Sequence, residues 1–152
     1  MRAIIIGAGD VGFQLAGRLS QQGDEIVVID VDQAKVDRVA DSMPPTEVDD
    51  PDGDACVLVL GWGSTYGLIH SAVEQVRRAG RSVARAHLRY LNPFPKNLGD
   101  LLRGFDKVLV PEMNMGQISR EVKRVNEGMS RVATLNRIDG CMISPQEIYE
   151  WL

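Results

Sequence analysis

Apolar and polar positions along this chain switch between two periods. Ile4 to Ile6, Ile26 to Ile29, Ala55 to Leu60, Val83 to Leu88, Lys107 to Val110 and Arg131 to Leu135 are short, apolar-rich runs bounded by Gly, Asp, Pro or Asn. Such runs predict strands, and the continuous ones predict burial on both faces. Between them, apolar residues recur at helical spacing. Val11, Leu15, Ala16 and Leu19 form one stripe, and Ala34, Val36, Val39 and Ala40 another. Leu68 to Arg78 and Asn97 to Arg103 follow, then Ile118, Val122 and Val125, and finally Ile148, Trp151 and Leu152. Gly23, Gly80 and Gly104 stand where helices stop. Ser144-Pro145 opens the last helix, with Ser144 as N-cap, Pro145 at the first helical position and Glu147 closing a capping box.

About six strands alternating with helices predict an α/β fold: a Rossmann-like, doubly wound parallel sheet in three αβα layers with right-handed crossovers. The whole chain, 1–152, reads as one such domain. Residues 1–42 form a nucleotide-binding βαβα segment, 43–54 a connecting loop, and 55–152 the rest of the sheet. The loop holds Pro44, Pro45 and Pro51 among several acids and carries no periodicity. If the first strand neighbours the one at 55–60, the turns following them flank a single crevice at the carboxyl edge of the sheet.

The first turn is Gly7-Ala8-Gly9-Asp10-Val11-Gly12. Glycines at this spacing, between a strand and a helix, allow a tight turn, a close backbone approach to a pyrophosphate, and close packing of helix on strand. The helix that follows offers unpaired N–H groups to an anion. Asp30, 18 residues after Gly12, ends the second strand where a ribose would present its hydroxyls. An acid there with no Arg beside it favours NAD over NADP. Asp32 competes for the ribose role but also suits the N-cap of the next helix. The cofactor expected is therefore NAD, or another adenine nucleotide.

The second glycine turn, Gly61-Trp62-Gly63-Ser64-Thr65-Tyr66-Gly67, is a further candidate for an anion or a ring. It lacks the Lys of a P-loop, and Ser64 or Thr65 suits a helix N-cap. Trp62 and Tyr66 either stack on a ligand or cover the sheet edge, the second being preferred. His70 and His87 have no partner at a recognisable spacing, and no catalytic residue is assigned. Glu112, in Pro111-Glu112-Met113-Asn114-Met115-Gly116-Gln117, stands at the ligand-facing edge, where a structural hydrogen bond to a neighbouring loop is the expectation. Cys56 and Cys141 have no metal-like spacing; Cys56, opening an apolar run, is expected to be buried, and no metal is expected.

The net charge of −4 points away from nucleic acid. Arg77-Arg78 and Lys123-Arg124 fall on helix patterns and read as solvated faces. No apolar run approaches membrane-spanning length, and the first residues enter a strand at once, so neither a membrane partner nor a leader is expected. A reducing cytoplasm fits the cysteine content.

Two resemblances cover different parts of the chain. On Gly7 to Gly12, Leu15-Ala16, Leu19, Gly23, Val28-Ile29-Asp30, Asp32 and Val36, the first forty residues resemble the TrkA-N type, the NAD-binding regulatory domain of potassium uptake systems and channels. That family's Gly-Asp-Ala turn after its third strand is displaced here: Asp52-Gly53-Asp54-Ala55 precedes a strand. Residues from about 34 onward are similar to the C-terminal domain of the alpha subunit of 2-oxoacid:ferredoxin oxidoreductases of the 2-oxoglutarate type. That resemblance rests on Val57 to Gly67, His87 to Pro95, Pro111 to Gln117 and Leu135 to Gly140. It implies a transketolase C-terminal type of α/β unit, with thiamine diphosphate, iron–sulfur clusters and the reacting carbons largely on other domains. Together the two imply a hybrid, an engineered or designed chimera. The function expected is a nucleotide-binding module without catalysis of its own, monomer or homodimer, whose partner is a small-molecule nucleotide. The alternatives are a piece of the oxidoreductase alpha subunit and a scaffold without ligand.

Overall fold

The structure, a computed structural model, describes residues 2–128 and 130–152, the side chain of Arg2 excepted. In chain order the elements are β1 (Arg2–Ile6), α1 (Asp10–Gln21), β2 (Glu25–Ile29), α2 (Gln33–Ser42), β3 (Val48–Asp49), β4 (Val57–Trp62), α3 (Tyr66–Arg78), β5 (Ala84–Leu88), β6 (Tyr90–Asn92), α4 (Leu98–Arg103), β7 (Lys107–Glu112), α5 (Gln117–Asn126), β8 (Arg131–Asn136) and α6 (Pro145–Trp151). They divide into two compact units, Met1–Thr46 with Leu88–Leu98, and Glu47–His87 with Gly99–Leu152. The fold is α/β, as the alternating periods predict. The strands, however, form two sheets where one was expected.

The first unit holds a three-stranded sheet in the order β1-β2-β6. Both pairings are parallel, with Ile4 opposite Val27, Ile6 opposite Ile29 and Ile26 opposite Tyr90. Alternate side chains of a strand point to opposite faces. Ile5, Ile26, Val28 and Tyr90 point inward and join Ala16 of α1 and Val39 of α2 in one core. Because both helices contribute to this same core, the opposite face is left open, and Ile4, Ile6 and Ile29 are exposed. Burial on both faces, predicted from the apolar runs, therefore fails in this unit. The segment Leu88–Leu98 is bound here by side chains. Tyr90 donates its hydroxyl to the Ser20 carbonyl at 2.8 Å. Asn97 accepts from the Thr46 N–H at 2.9 Å and donates to the Thr46 carbonyl at 2.8 Å.

The second unit holds a five-stranded sheet in the order β3-β5-β4-β7-β8. β4, β7 and β8 run parallel, and β3 pairs antiparallel with β5 at the edge. Its core joins Val59 and Leu109 of the sheet to Ile69, Ala72, Val73 and Val76 of α3 and Ile148 of α6. β3 lies inside the expected loop and is held by two guanidinium groups. Arg85 Nε donates to Asp49 Oδ2 at 2.5 Å, and Arg77 Nη2 donates to the Asp49 carbonyl at 2.7 Å. Burial alone would raise the Asp49 carboxyl. The hydrogen bond from Arg85 and the charge of Arg77 outweigh it and hold the group below its ordinary value. Arg77 is thus an anchor, not part of a solvated face.

Candidate functional site

Each candidate turn belongs to its own sheet. β1 has β2 as its sheet neighbour, while β4 lies between β5 and β7. The first strand and the strand at 57–62 are therefore not sheet neighbours, which was the condition for the expected crevice.

In the first turn, Gly7 has φ +95°, a left-handed conformation that favours glycine, and its N–H donates to the Ile29 carbonyl at 2.7 Å. A Cβ on Gly12 would lie 1.9 Å from the Gly7 carbonyl oxygen, so this glycine lets α1 close on β1. A Cβ on Gly9 would meet nothing within 4 Å. Asp10 starts α1 and faces Arg38 at 3.8 Å, and Val11 is exposed. The decisive group is Asp30. Its Oδ2 accepts from the buried Ala8 N–H at 2.6 Å, and its Oδ1 accepts from the Asp32 N–H at 2.8 Å. The Asp32 and Ala8 amides hold the Asp30 carboxyl below its ordinary value. Asp32 itself accepts from Ala34 N–H at 3.0 Å and caps α2. Asp30 therefore sews the loop tip to the turn after β2, and it places a carboxylate on an amide that an anion at this loop would use.

In the second unit, the parallel strands β4, β7 and β8 bring the segments that follow them to one edge. Gly61 is buried; a Cβ there would meet Ile69 Cδ1 at 2.5 Å and His87 Nδ1 at 3.1 Å. Gly63 has φ +59° and opens a short 3-10 turn, Gly63–Thr65. The Trp62 N–H donates to Thr65 Oγ1 at 3.0 Å, and that hydroxyl donates to the Trp62 carbonyl at 2.8 Å. Thr65 thus closes the turn and makes no side-chain cap to α3. The exposed Tyr66 ring stacks on His70 at 6.3 Å and meets His87 edge-on at 5.3 Å. Sequence spacing does not show this grouping, because His87 arrives from β5.

Glu112 at the end of β7 is fully buried. It accepts from Ile118 N–H at 3.0 Å and Ser119 N–H at 2.8 Å, so it caps the start of α5 from inside. Asn114 Oδ1 accepts from Gly116 and Gln117, and Gly116, at φ +83°, completes the loop. The role is structural, as expected, but the bonds go to the first turn of α5 and not to a neighbouring loop. Met113 packs on the core, whereas Met115 is exposed. Cys56 is exposed, against the expectation of burial, because the strand begins one residue later at Val57. Among the described residues, no group of three or more His, Cys, Asp or Glu side chains is placed to hold a metal ion. No helix there is long and apolar enough to cross a membrane.

Two families match this chain. Residues 55–148 match Pyruvate:ferredoxin oxidoreductase core domain II, and residues 3–56 match the TrkA-N domain. The 2-oxoglutarate oxidoreductase subunit KorA of Mycobacterium tuberculosis is 39% identical over 93% of this chain, which spans 20% of that relative. The 2-oxoglutarate synthase subunit KorA of Methanocaldococcus jannaschii is 36% identical over 62% of this chain, which spans 26% of it. Among solved structures, a 2-oxoglutarate:ferredoxin oxidoreductase from Magnetococcus marinus, with 2-oxoglutarate, coenzyme A and succinyl-CoA bound, superposes with a TM-score of 0.62. The identity is 22%, covering 82% of this chain and 24% of that one, which shows a shared fold. These matches overturn the expectation of NAD or another adenine nucleotide as cofactor. The curated relatives are by name 2-oxoglutarate oxidoreductase and synthase subunits, and in this chain the Ala8 amide of the nucleotide loop is already taken by Asp30.

Proposed function

Since the chain belongs to the pyruvate:ferredoxin oxidoreductase core domain II family, we propose that it serves as that domain within the alpha subunit of a 2-oxoacid:ferredoxin oxidoreductase of the 2-oxoglutarate type. The observation that carries the reading is one alignment, 39% identical, that takes in 93% of the chain. Such an alignment leaves only 7% of the chain outside it, so most of the TrkA-N-like segment has a counterpart in a bacterial subunit. The hybrid organisation is then a natural one. On this reading Gly7 to Gly12, Asp30 and Asp32 form a structural turn, and Gly61, Trp62 and Gly63 shape the edge of the second unit's sheet.

The reacting centre belongs to the rest of the subunit assembly. Iron–sulfur clusters are held by about four cysteine thiolates. With Cys56 and Cys141 alone, both exposed, a cluster does not fit this chain. The chain contributes a packed α/β unit whose loops after β4 and β7 are fixed from within by Thr65 and Glu112. Free, exposed thiols suit a reducing compartment.

The test is complementation. A KorA-type subunit lacking the region equivalent to this chain is co-expressed with it. Co-purification and recovery of 2-oxoglutarate- and coenzyme A-dependent ferredoxin reduction are the expected outcome. Failure of a correctly folded chain to associate or to restore any activity overturns the reading.

A further inference from the structure

The loop between β3 and β4 carries a chemistry that does not depend on the function proposed above. Two carboxylates close it at its base. Asp50 Oδ2 accepts from the Ala55 N–H at 3.3 Å, and Asp54 Oδ1 accepts from the Ser82 hydroxyl at 2.5 Å. Between them stands Asp52-Gly53, with both residues exposed. The Asp52 carboxylate has no hydrogen-bond or ion-pair partner among the described residues. Gly53 has φ +70°, and nothing lies within 4 Å of the place a Cβ would take on it.

We propose that Asp52-Gly53 is a site of spontaneous isoaspartate formation. The Gly53 nitrogen attacks Asp52 Cγ, a C–N bond forms, and the carboxyl oxygen leaves as water with the amide proton. The product is a five-membered succinimide. Water then adds at either ring carbonyl. Opening at the backbone carbonyl routes the chain through the Asp52 side chain, adds one methylene to the main chain and leaves the carboxylate on the α-carbon. The change is an isomerisation and needs no other reactant. Glycine favours the attack because no Cβ hinders its nitrogen, and an unbonded carboxylate is free to turn toward it. The chain holds the same dipeptide once more, at Asp139-Gly140. That pair is also exposed, and its glycine is also left-handed, at φ +81°. Asp139 Oδ1, however, accepts from the Cys141 N–H at 2.9 Å. Turning that carboxylate onto the Gly140 nitrogen costs a hydrogen bond. The two pairs share their chemistry and differ in this restraint, so Asp52 is the faster site.

Ageing of the full chain at physiological temperature and near-neutral pH tests this. Isoaspartate is read by methyl transfer from S-adenosylmethionine with an isoaspartyl methyltransferase, and is placed by electron-transfer fragmentation of the peptides. The expected result is accumulation at Asp52 several-fold faster than at Asp139. Most of the methyl-accepting capacity is lost in Asp52→Glu, whose longer side chain has to close a six-membered ring. In urea, where Asp139 loses its hold on the Cys141 amide, the two rates converge. No isoaspartate at Asp52, equal rates in the native chain, or the same ratio in urea as in the native chain overturns the proposal.

Discussion

The Ala8 N–H donates to Asp30 Oδ2 across 2.6 Å, tying the tip of the first glycine loop to the end of β2. The Asp30 carboxyl is held below its ordinary 3.8 by the Asp32 amide first and the Ala8 amide second. A depressed pKa means that the contribution of this carboxylate is complete above the unfolded value and fades as pH falls through the folded one. The Ala8 and Asp32 amide resonances are therefore expected to titrate together with a midpoint below 3.8. Asp30→Asn should remove the transition from both. A midpoint at or above that value, or two separate midpoints, would show that the carboxylate does not bridge them.

Two glycines in the same loop make opposite demands. A Cβ at Gly12 would lie 1.9 Å from a backbone oxygen, and backbone cannot yield as a side-chain tip can. Gly12→Ala should cost about 3 kcal/mol or more, at the high end of overpacking. Gly9, with φ −65° and open space around its Cβ, should accept alanine within about 0.5 kcal/mol. Urea denaturation of both variants checks this. Equal effects would contradict the packing assigned to Gly12.

Glu112 gives a third expectation. Removing its carboxylate leaves the Ile118 and Ser119 amides without their acceptor in a buried setting. Glu112→Ala should lower stability by about 2–4 kcal/mol, from a lost acceptor for two donors plus a small cavity. Glu112→Gln keeps one acceptor oxygen and should cost about 1–2 kcal/mol. Amide exchange at Ser119 should accelerate in both, most in the alanine variant. If exchange there is unchanged while stability falls, the cap is not what Glu112 supplies.

Local patterns in the chain were enough to place most elements, because short-range physics dictates them. Ser144, Pro145 and Glu147 announce α6, and the capping box forms as its spacing requires. Gly7 and Gly12 announce the turn between β1 and α1. Sheet membership was not legible, since it depends on which strands meet. β6 is only Tyr90–Asn92; its Tyr90 hydroxyl ties it to α1 at the Ser20 carbonyl, and its Asn92 amide ties it to β2, donating to the Val28 carbonyl at 3.0 Å. β3 depends on Arg77 and Arg85, remote in sequence from Asp49. The grouping of Tyr66 and His70, both on α3, with His87 is hidden for the same reason: His87 comes from a separate strand, β5. Asp30 was correctly located at the end of β2, but its partner could not be foreseen. A carboxylate placed to meet a sugar is equally placed to meet a backbone amide when the loop tip lies within reach.

That last point separates a nucleotide-binding loop from a structural one by a direct measurement. A ligand bound to the native state at one hundred times its dissociation constant adds about 2.7 kcal/mol of stability, an easily seen rise in melting temperature. With the Ala8 amide and both Asp30 oxygens engaged, NAD, NADH, ADP and AMP at millimolar concentration should produce no such rise. Nor should they shift the Ala8 and Asp32 resonances, which report the contact itself. Asp30→Ala frees the Ala8 amide and removes the carboxylate from the loop mouth. If that variant gained nucleotide-dependent stabilisation, Asp30 would be an occluding group over a competent cradle. If it did not, the glycines serve packing alone. A saturable shift in the unmodified chain would instead show that the carboxylate leaves Ala8 when a diphosphate arrives, and the structural reading of the loop would fall.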